Sequence, residues 1–403
     1  MIKEYCSLIV AYFYIKIIRI IYFVTNSSVD VDNNLIIFES FHGKSISDSP
    51  LAIYNYLSQK EEFSEFKFVW VVENINPQFN KLNDNSNTKY IEYKSNDYYK
   101  YYAKSKYWII NCRIPLKIFK KSNQICVQCW HGTPLKKLGR DVESTVDNTV
   151  SKLTRNYIYE KQTRSYDYFL SQSKYATDCF RTAFSLSKKQ ILELGYPRCD
   201  ELVLHKDDSE RKKLIKERLN IRLENRVILY APTYRDEKFN TRNNREEPTN
   251  AVLSLLVALS AIDKNITVLF RGHYFSESPD VDNVLDVSKI DNVNEILLIS
   301  DVLITDYSSI IFDFSLLERP IIHYIFDHVR YSNETRGMYK SIDSSLATEI
   351  AYKESEVVDL ISQDLDVPCK RSDFLNEYLP NETGNVTIEI INTVFKKSIK
   401  NVN

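Results

Sequence analysis

Gln128-Cys129-Trp130-His131-Gly132-Thr133-Pro134-Leu135-Lys136-Lys137-Leu138-Gly139-Arg140-Asp141 is the stretch whose reading decides the fold class. An apolar run over 125–130 stops at a histidine. A glycine follows, and Thr133-Pro134 carries the signature of a helix start. The pattern predicts a buried strand, a tight turn and a capped helix, with an imidazole at the turn. In open α/β sheets ligands bind beyond the carboxyl ends of the strands. A histidine there titrates near neutrality and can take a proton from a hydroxyl.

Working outward, apolar runs at 35–38, 67–72, 89–92 and 107–110 read as earlier strands, and 168–170 and 191–194 as later ones, with helical patterns between them. A second alternation has strands at 226–230, 267–270, 302–305 and 320–324 and an amphipathic helix at 249–261. Strands separated by helices imply mostly parallel sheets, so two Rossmann-like halves with a cleft between them are expected. The division is 1–25 for an N-terminal helix, 26–203 for the first domain and 204–403 for the second. The charged segment 203–222 is the connection.

A chain of 403 residues is long enough for two such domains, and its 43% hydrophobic and 27% charged content suits large cores. The net charge of -1 gives no global field pointing to nucleic acid. Lys117, Lys120, Lys121, Lys136 and Lys137 cluster, either as a solvated face or as a rim that attracts an anionic substrate or a membrane surface. The seven cysteines are scattered, which argues for a reducing compartment; Cys126 and Cys129 read as small buried hydrophobes, because no second pair completes a zinc site. The D-x-D triplets beginning at Asp30, Asp280 and Asp364 follow no clear strand end, so neither a metal nor a cofactor is assigned.

Residues 5–24 are almost wholly apolar, broken by Ser7, Lys16 and Arg19. About 20 such residues can span a bilayer, but two cations near the middle are costly there. At 100° per residue Tyr5, Tyr12, Lys16 and Arg19 share one side, the pattern of a helix lying in the membrane interface. A helix packed on the first domain is the second arrangement and a true span the third. No small-residue cleavage site follows, which argues against a removed signal peptide.

In the second half, Thr305-Asp306-Tyr307-Ser308-Ser309 joins a buried strand to a helix. The two serines are equally compatible with plain helix capping and with an anion held at the helix start. Arg235 and the pair Arg271 and His273 also follow strands. Arginine forks match phosphate oxygens. Together with Thr305, Ser308 and Ser309 they make a metal-free pyrophosphate site the expectation. In the first half His42 and His131 both end strands and both precede glycine, in a chain with only seven glycines. They are the candidate catalytic residues, with Asp141 as a candidate orienting carboxylate. His205, His323 and His328 lack that context and read as surface or core.

The series Ser40-Phe41-His42-Gly43-Lys44 with Asp48-Ser49-Pro50, then Trp130 to Lys136 with Gly139 and Asp141, resembles the CDP-glycerol glycerophosphotransferase family of teichoic acid primases and polymerases. Gly195-Tyr196-Pro197-Arg198 with Asp200, Ala231-Pro232-Thr233 with Arg235-Asp236, and Ser300-Asp301 through Ser309 with Phe312-Asp313 are similar to the same family in the same order. The resemblance implies a GT-B fold: two Rossmann-like domains facing a central cleft. It implies transfer of glycerol phosphate or ribitol phosphate from a CDP-polyol donor to a lipid-linked acceptor, by a peripheral protein at the cytoplasmic membrane face. By the same resemblance His131 corresponds to the catalytic base, and Arg271, His273, Ser308 and Ser309 to donor-phosphate ligands; His42 is a second acid–base group or an acceptor contact. A GT-B glycosyltransferase using a nucleotide sugar shares the fold, and a non-catalytic membrane-bound partner is the rival from another class.

Overall fold

The computed structural model describes residues 2–75, 87–142, 151–233, 250–272, 279–326, 337–342, 346, 348–363, 365 and 371–399. The chain divides into two compact units, Met1–Asp200 with Pro380–Asn403, and Glu201–Leu379.

The first unit holds seven strands: β1 (Asp32–Glu39), β2 (Lys67–Val72), β3 (Thr88–Glu92), β4 (Ser105–Ile110), β5 (Ile125–Gln128), β6 (Tyr168–Ser171) and β7 (Ile191–Glu193). They form one sheet in the order β3-β2-β1-β4-β5-β6-β7, parallel throughout. A parallel sheet is covered on both faces, so its strands read as continuous apolar runs. Ile36, Ile37, Phe38, Trp70, Val71 and Trp108 are accordingly fully buried. The order reverses where β1 meets β4. There Glu39 lies opposite Ile110, at the topological position where open α/β sheets bind ligands.

The second unit repeats the plan with β8 (Arg226–Ala231), β9 (Ile266–Phe270), β10 (Val284–Asp286), β11 (Val302–Thr305), β12 (Ile321–Tyr324) and β13 (Glu349–Ala351). Their order is β10-β9-β8-β11-β12-β13, again parallel. The reversal falls between β8 and β11, with Thr305 opposite Ala231.

The helix expected to open at Thr133-Pro134 does not form. Residues 133–138 are irregular and lead into a 3₁₀ turn at Gly139–Asp141. A residue before proline is disfavoured in helical backbone, and the segment finds its partners elsewhere. The Thr133 hydroxyl bonds the Gln172 side chain, and the Pro134 carbonyl accepts from the Tyr175 hydroxyl at 2.7 Å.

The N-terminal helix α1 (Ile2–Asn26) docks by one stripe, with Ile15, Tyr22 and Asn26 buried. Arg19 lies on the docked side instead of joining an outer polar face: its Nε donates to the Leu116 carbonyl at 3.0 Å. The opposite face is apolar and open, with Ile9, Phe13, Ile17, Ile20 and Val24 between 54% and 69% exposed. By length and composition α1 is apolar enough to cross a membrane.

The C-terminal segment belongs to the first unit, whereas the sequence division had placed it in the second domain. Asp200 explains the return. Its carboxylate accepts from the Val386 and Thr387 backbone N–H groups, at 2.9 and 2.8 Å, satisfying the open end of the helix Val386–Ile399. Further along that helix, Phe395 packs on Phe63, Phe66 and Tyr107. Loss of a cap costs roughly 0.5–2 kcal/mol. Asp200→Ala should therefore lower stability by about that amount and selectively speed hydrogen exchange at Val386 and Thr387. Unchanged exchange there would refute the capping role.

Candidate active site

At the reversal in the first unit, three chain segments converge on Asn111, the residue just beyond β4. Its backbone N–H donates to the Glu39 carbonyl at 3.2 Å, continuing the ladder by one step. Its side-chain Oδ1 accepts from the Phe41 N–H at 2.9 Å. Its carbonyl oxygen lies 2.9 Å from His131 Nδ1. A carbonyl can only accept, so Nδ1 carries the proton and Nε2 presents a lone pair.

The His131 ring stacks on Trp130, with centroids 4.4 Å apart and planes 25° apart, and also touches Phe41. Its surface is open to solvent. Even so, the surrounding protein desolvates the imidazolium and lowers its pKa below 6.5. The Asn111 carbonyl and Asp48 oppose that shift, while Arg198 and His42 reinforce it. His131 is thus a neutral ring at pH 7 with an unprotonated Nε2. Asp141, the expected orienting carboxylate, accepts from the Thr182 hydroxyl at 2.5 Å; the partner of His131 Nδ1 is the Asn111 carbonyl.

His42 sits on a strained turn. Phe41 and His42 have φ of 47° and 60°, and Gly43 follows at 82°. Left-handed backbone at two consecutive non-glycine residues costs energy and recurs at functional sites. The turn is forced by close approach: a Cβ on Gly43 would lie 2.8 Å from the Val72 carbonyl carbon. His42 Nδ1 faces Glu39 Oε1 at 3.5 Å and the Tyr93 hydroxyl at 3.3 Å, and the side chain is 41% exposed.

Glu39, which sequence reading places in the loop after the run 35–38, is the last residue of β1 and fully buried. Its carboxylate accepts from the hydroxyls of Tyr98 and Tyr102 and from the Cys112 thiol. Burial pushes all three of those groups well above their ordinary pKa, and Glu39 adds to the effect, so they remain protonated donors. A buried carboxylate tolerates its site only with such a set of donors. Glu39, His42 and Cys112 also form a triplet that could hold a metal ion; the tyrosines already occupy one carboxylate oxygen, so the donor set is better matched to holding His42 than to an ion. A buried charge pair, Asp48 with Arg198 at 3.4 Å, lies within the electrostatic reach of His131.

In the second unit, Arg271 is held by its Nη1, which donates to the Val287 and Ile290 carbonyls, both at 2.9 Å. Desolvation lowers its pKa, against the pull of Asp291 and Asp286. Ser308 accepts weakly from the Ile310 N–H at 3.4 Å, and the Ser309 side chain makes no capping bond to the helix Ile310–Ser315. Thr305 has a supporting position: buried, with its hydroxyl donating to Ala231 at 2.7 Å, it ties β11 to β8. Asp306 organises the loop after β8, accepting from the Thr233 N–H at 2.8 Å. The buried ring of His323 donates to the Asp306 carbonyl at 2.7 Å, and burial lowers its pKa to about 4, so it is a neutral core residue. His205 pairs with Asp208 at 3.1 Å at the surface. Arg235, His273 and His328 lie outside the described residues.

Each unit therefore places ionisable and hydroxyl side chains at the carboxyl-end reversal of a parallel sheet, the arrangement of a GT-B-like α/β transferase. The sequence profile described as CDP-glycerol:poly(glycerophosphate) glycerophosphotransferase matches residues 21–396, and the chain belongs to that family of enzymes. It is 35% identical over 375 residues to a teichoic acid glycerol-phosphate transferase of Staphylococcus aureus (strain NCTC 8325 / PS 47), covering 91% of this chain and 94% of the relative. It is 34% identical to a teichoic acid poly(glycerol phosphate) polymerase of Bacillus subtilis (strain 168), covering 93% of this chain but only 50% of that longer protein. A solved structure of the wall teichoic acid polymerase TagF, a histidine-to-asparagine variant soaked with CDPG, superposes with a TM-score of 0.83 at 29% identity, covering 100% of this chain and 99% of that one.

The buried carboxylate of the first unit is directly testable. Glu39→Gln turns an amide N–H₂ toward hydroxyl donors, which costs roughly 1–3 kcal/mol. Its urea midpoint should fall accordingly. A midpoint equal to that of the unsubstituted protein would mean that the phenols do not depend on the charge.

Proposed function

We propose that this chain transfers glycerol phosphate from CDP-glycerol to a hydroxyl of a lipid-linked acceptor, releasing CMP, at the cytoplasmic face of the membrane. The observation that carries the reading is the orientation of His131, with Nδ1–H spent on Asn111 and Nε2 free. Nε2 accepts the proton of the acceptor hydroxyl as its oxygen forms a bond to the glycerol-bearing phosphorus. The bond from that phosphorus to the oxygen of CMP breaks, and CMP leaves with the electron pair. Phosphoryl transfer rests on positioning and on stabilising charge. The second unit supplies that stabilisation through Arg271, Ser308 and Ser309, with Arg235 and His273 as further donors. Arg271 uses only Nη1 on the backbone, so the rest of its fork serves the anion. Glycerol is favoured over ribitol because both curated relatives described above are named for glycerol phosphate. Peripheral membrane binding is supported by the open apolar face of α1.

Release of CMP from CDP-glycerol in the presence of a lipid-linked acceptor tests the reaction. A positioned base contributes typically 10²–10⁴-fold. His131→Ala should lose about that much in kcat and leave binding of CDP-glycerol intact. In the unsubstituted enzyme kcat/KM should fall on the acid side with an inflection below pH 6.5, because protonation removes the lone pair at Nε2. A variant with full turnover would exclude His131 as the base.

Arg271→Lys should behave oppositely. It keeps a donor for the backbone carbonyls but loses the fork, so the Kd for CDP-glycerol should rise roughly tenfold or more. Calorimetric titration measures it, and an unchanged Kd would remove Arg271 from the donor site.

A further inference from the structure

We infer that the hollow between α1 and the helix Lys152–Thr163 is a seat for the phosphate of an anionic membrane phospholipid. This assignment rests on the membrane-surface reading above and gives it a specific ligand. The hollow is a cavity of about 380 Å³ in the first unit. Its walls are largely apolar, and three cations, Lys16, Arg19 and Lys161, reach into it beside Tyr12, Tyr157 and Phe119. None of the described residues lining it is acidic.

Among the described residues none of the three charges has a carboxylate partner. Arg19 spends Nε and Nη2 on the Leu116 and Lys161 carbonyls, leaving Nη1. Lys16 and Lys161 lie over the rings of Tyr12 and Tyr157 at 5.8 and 5.1 Å. The nearby acid Glu160 is taken by Arg164 at 2.5 Å. Partial burial lowers the pKa of Arg19, so the pocket holds a guanidinium at a cost that an anion would offset. Of the neighbouring lysines, Lys120 pairs with Asp167 at 3.2 Å, Lys121 donates to backbone carbonyls, and Lys117 lies over the Tyr99 ring at 4.1 Å.

What makes the anion an amphiphile is continuity. Ile20 and Phe23 line the hollow and also belong to the exposed apolar face of α1. If that face enters the acyl region, the cations beside it lie at the level of the headgroups, where lysine and arginine meet lipid phosphate. A soluble phosphate would match the charges but leave the apolar walls without a partner.

Vesicle flotation of the full chain tests this. The unsubstituted protein should bind vesicles of phosphatidylcholine with phosphatidylglycerol more tightly than vesicles of phosphatidylcholine alone. Lys16→Gln/Lys161→Gln should lose roughly ten- to thirty-fold on the anionic vesicles and nothing on the neutral ones. Lys188→Gln/Lys189→Gln, an exposed pair elsewhere on the unit, should lose much less. In calorimetry, short-chain phosphatidylglycerol below its micelle concentration should bind with a stoichiometry of one, and glycerol 3-phosphate should not bind. The site is overturned if the pocket variant keeps the preference for anionic vesicles, if both lysine pairs lose equally, or if glycerol 3-phosphate binds as well as the lipid. Equal binding of the unsubstituted protein to both vesicles overturns the site but spares the membrane reading. Absence of binding to either removes both.

Discussion

The first unit depends on one residue at one topological position. Asn111 stands where the strand order reverses, one residue beyond the last β1–β4 pair, Glu39 opposite Ile110. Its backbone N–H, carbonyl and Oδ1 bond the Glu39 carbonyl, His131 Nδ1 and the Phe41 N–H, joining a single buried residue to two different loops. The sheet register therefore sets the tautomer of a histidine that lies 20 residues away in sequence. A side-chain carboxylate would hold an imidazole more tightly and raise its pKa. A backbone carbonyl orients the ring without that charge, and desolvation then keeps it neutral.

Around this point the protein tolerates arrangements that a stability optimum would avoid. Phe41, His42, Asp48 and Trp130 all have positive φ, and all lie within the loops that carry the two histidines or flank them. Glu39 is a fully buried carboxylate, and Asp48 and Arg198 form a buried pair. Such features persist where the surroundings over-determine them. Here the surroundings are the phenol and thiol donors around Glu39 and the aromatic packing of Trp130 against Phe169, Phe180 and Phe184. The second unit is built by the same logic with different chemistry. Thr305 and Asp306 spend their side chains on the end of β8 and the loop after it, and the Ser309 side chain makes no capping bond.

The strands were legible because a parallel sheet buries both faces, which leaves an unbroken apolar run such as 67–72 in the sequence. The histidines at strand ends were legible because each interrupts such a run and precedes a glycine. Glu39 and Asn111 were not, although each directly follows a recognised run. A single acid or amide after a strand is common, and only the strand order reveals that these two lie side by side. Asp141 attracted attention by its proximity in sequence to His131, but the missing helix after Pro134 carries it to Thr182 instead. On α1 the apolar length was plain from composition. Which side docks was not, because Arg19 finds its acceptors in carbonyls of Leu116 and Lys161, remote in sequence.

By itself the sequence determined the class of fold, the family and the identity of the strand-end histidines. These follow from local patterning and motif order, which hydrophobic burial and turn chemistry write into neighbouring residues. Only the tertiary structure decided which groups hold those histidines, which hydroxyl makes no capping bond, and why the last helix returns to the first unit. Those outcomes depend on hydrogen bonds between residues far apart in the chain, and their partners are chosen by strand order and by the cost of leaving buried polar groups unpaired.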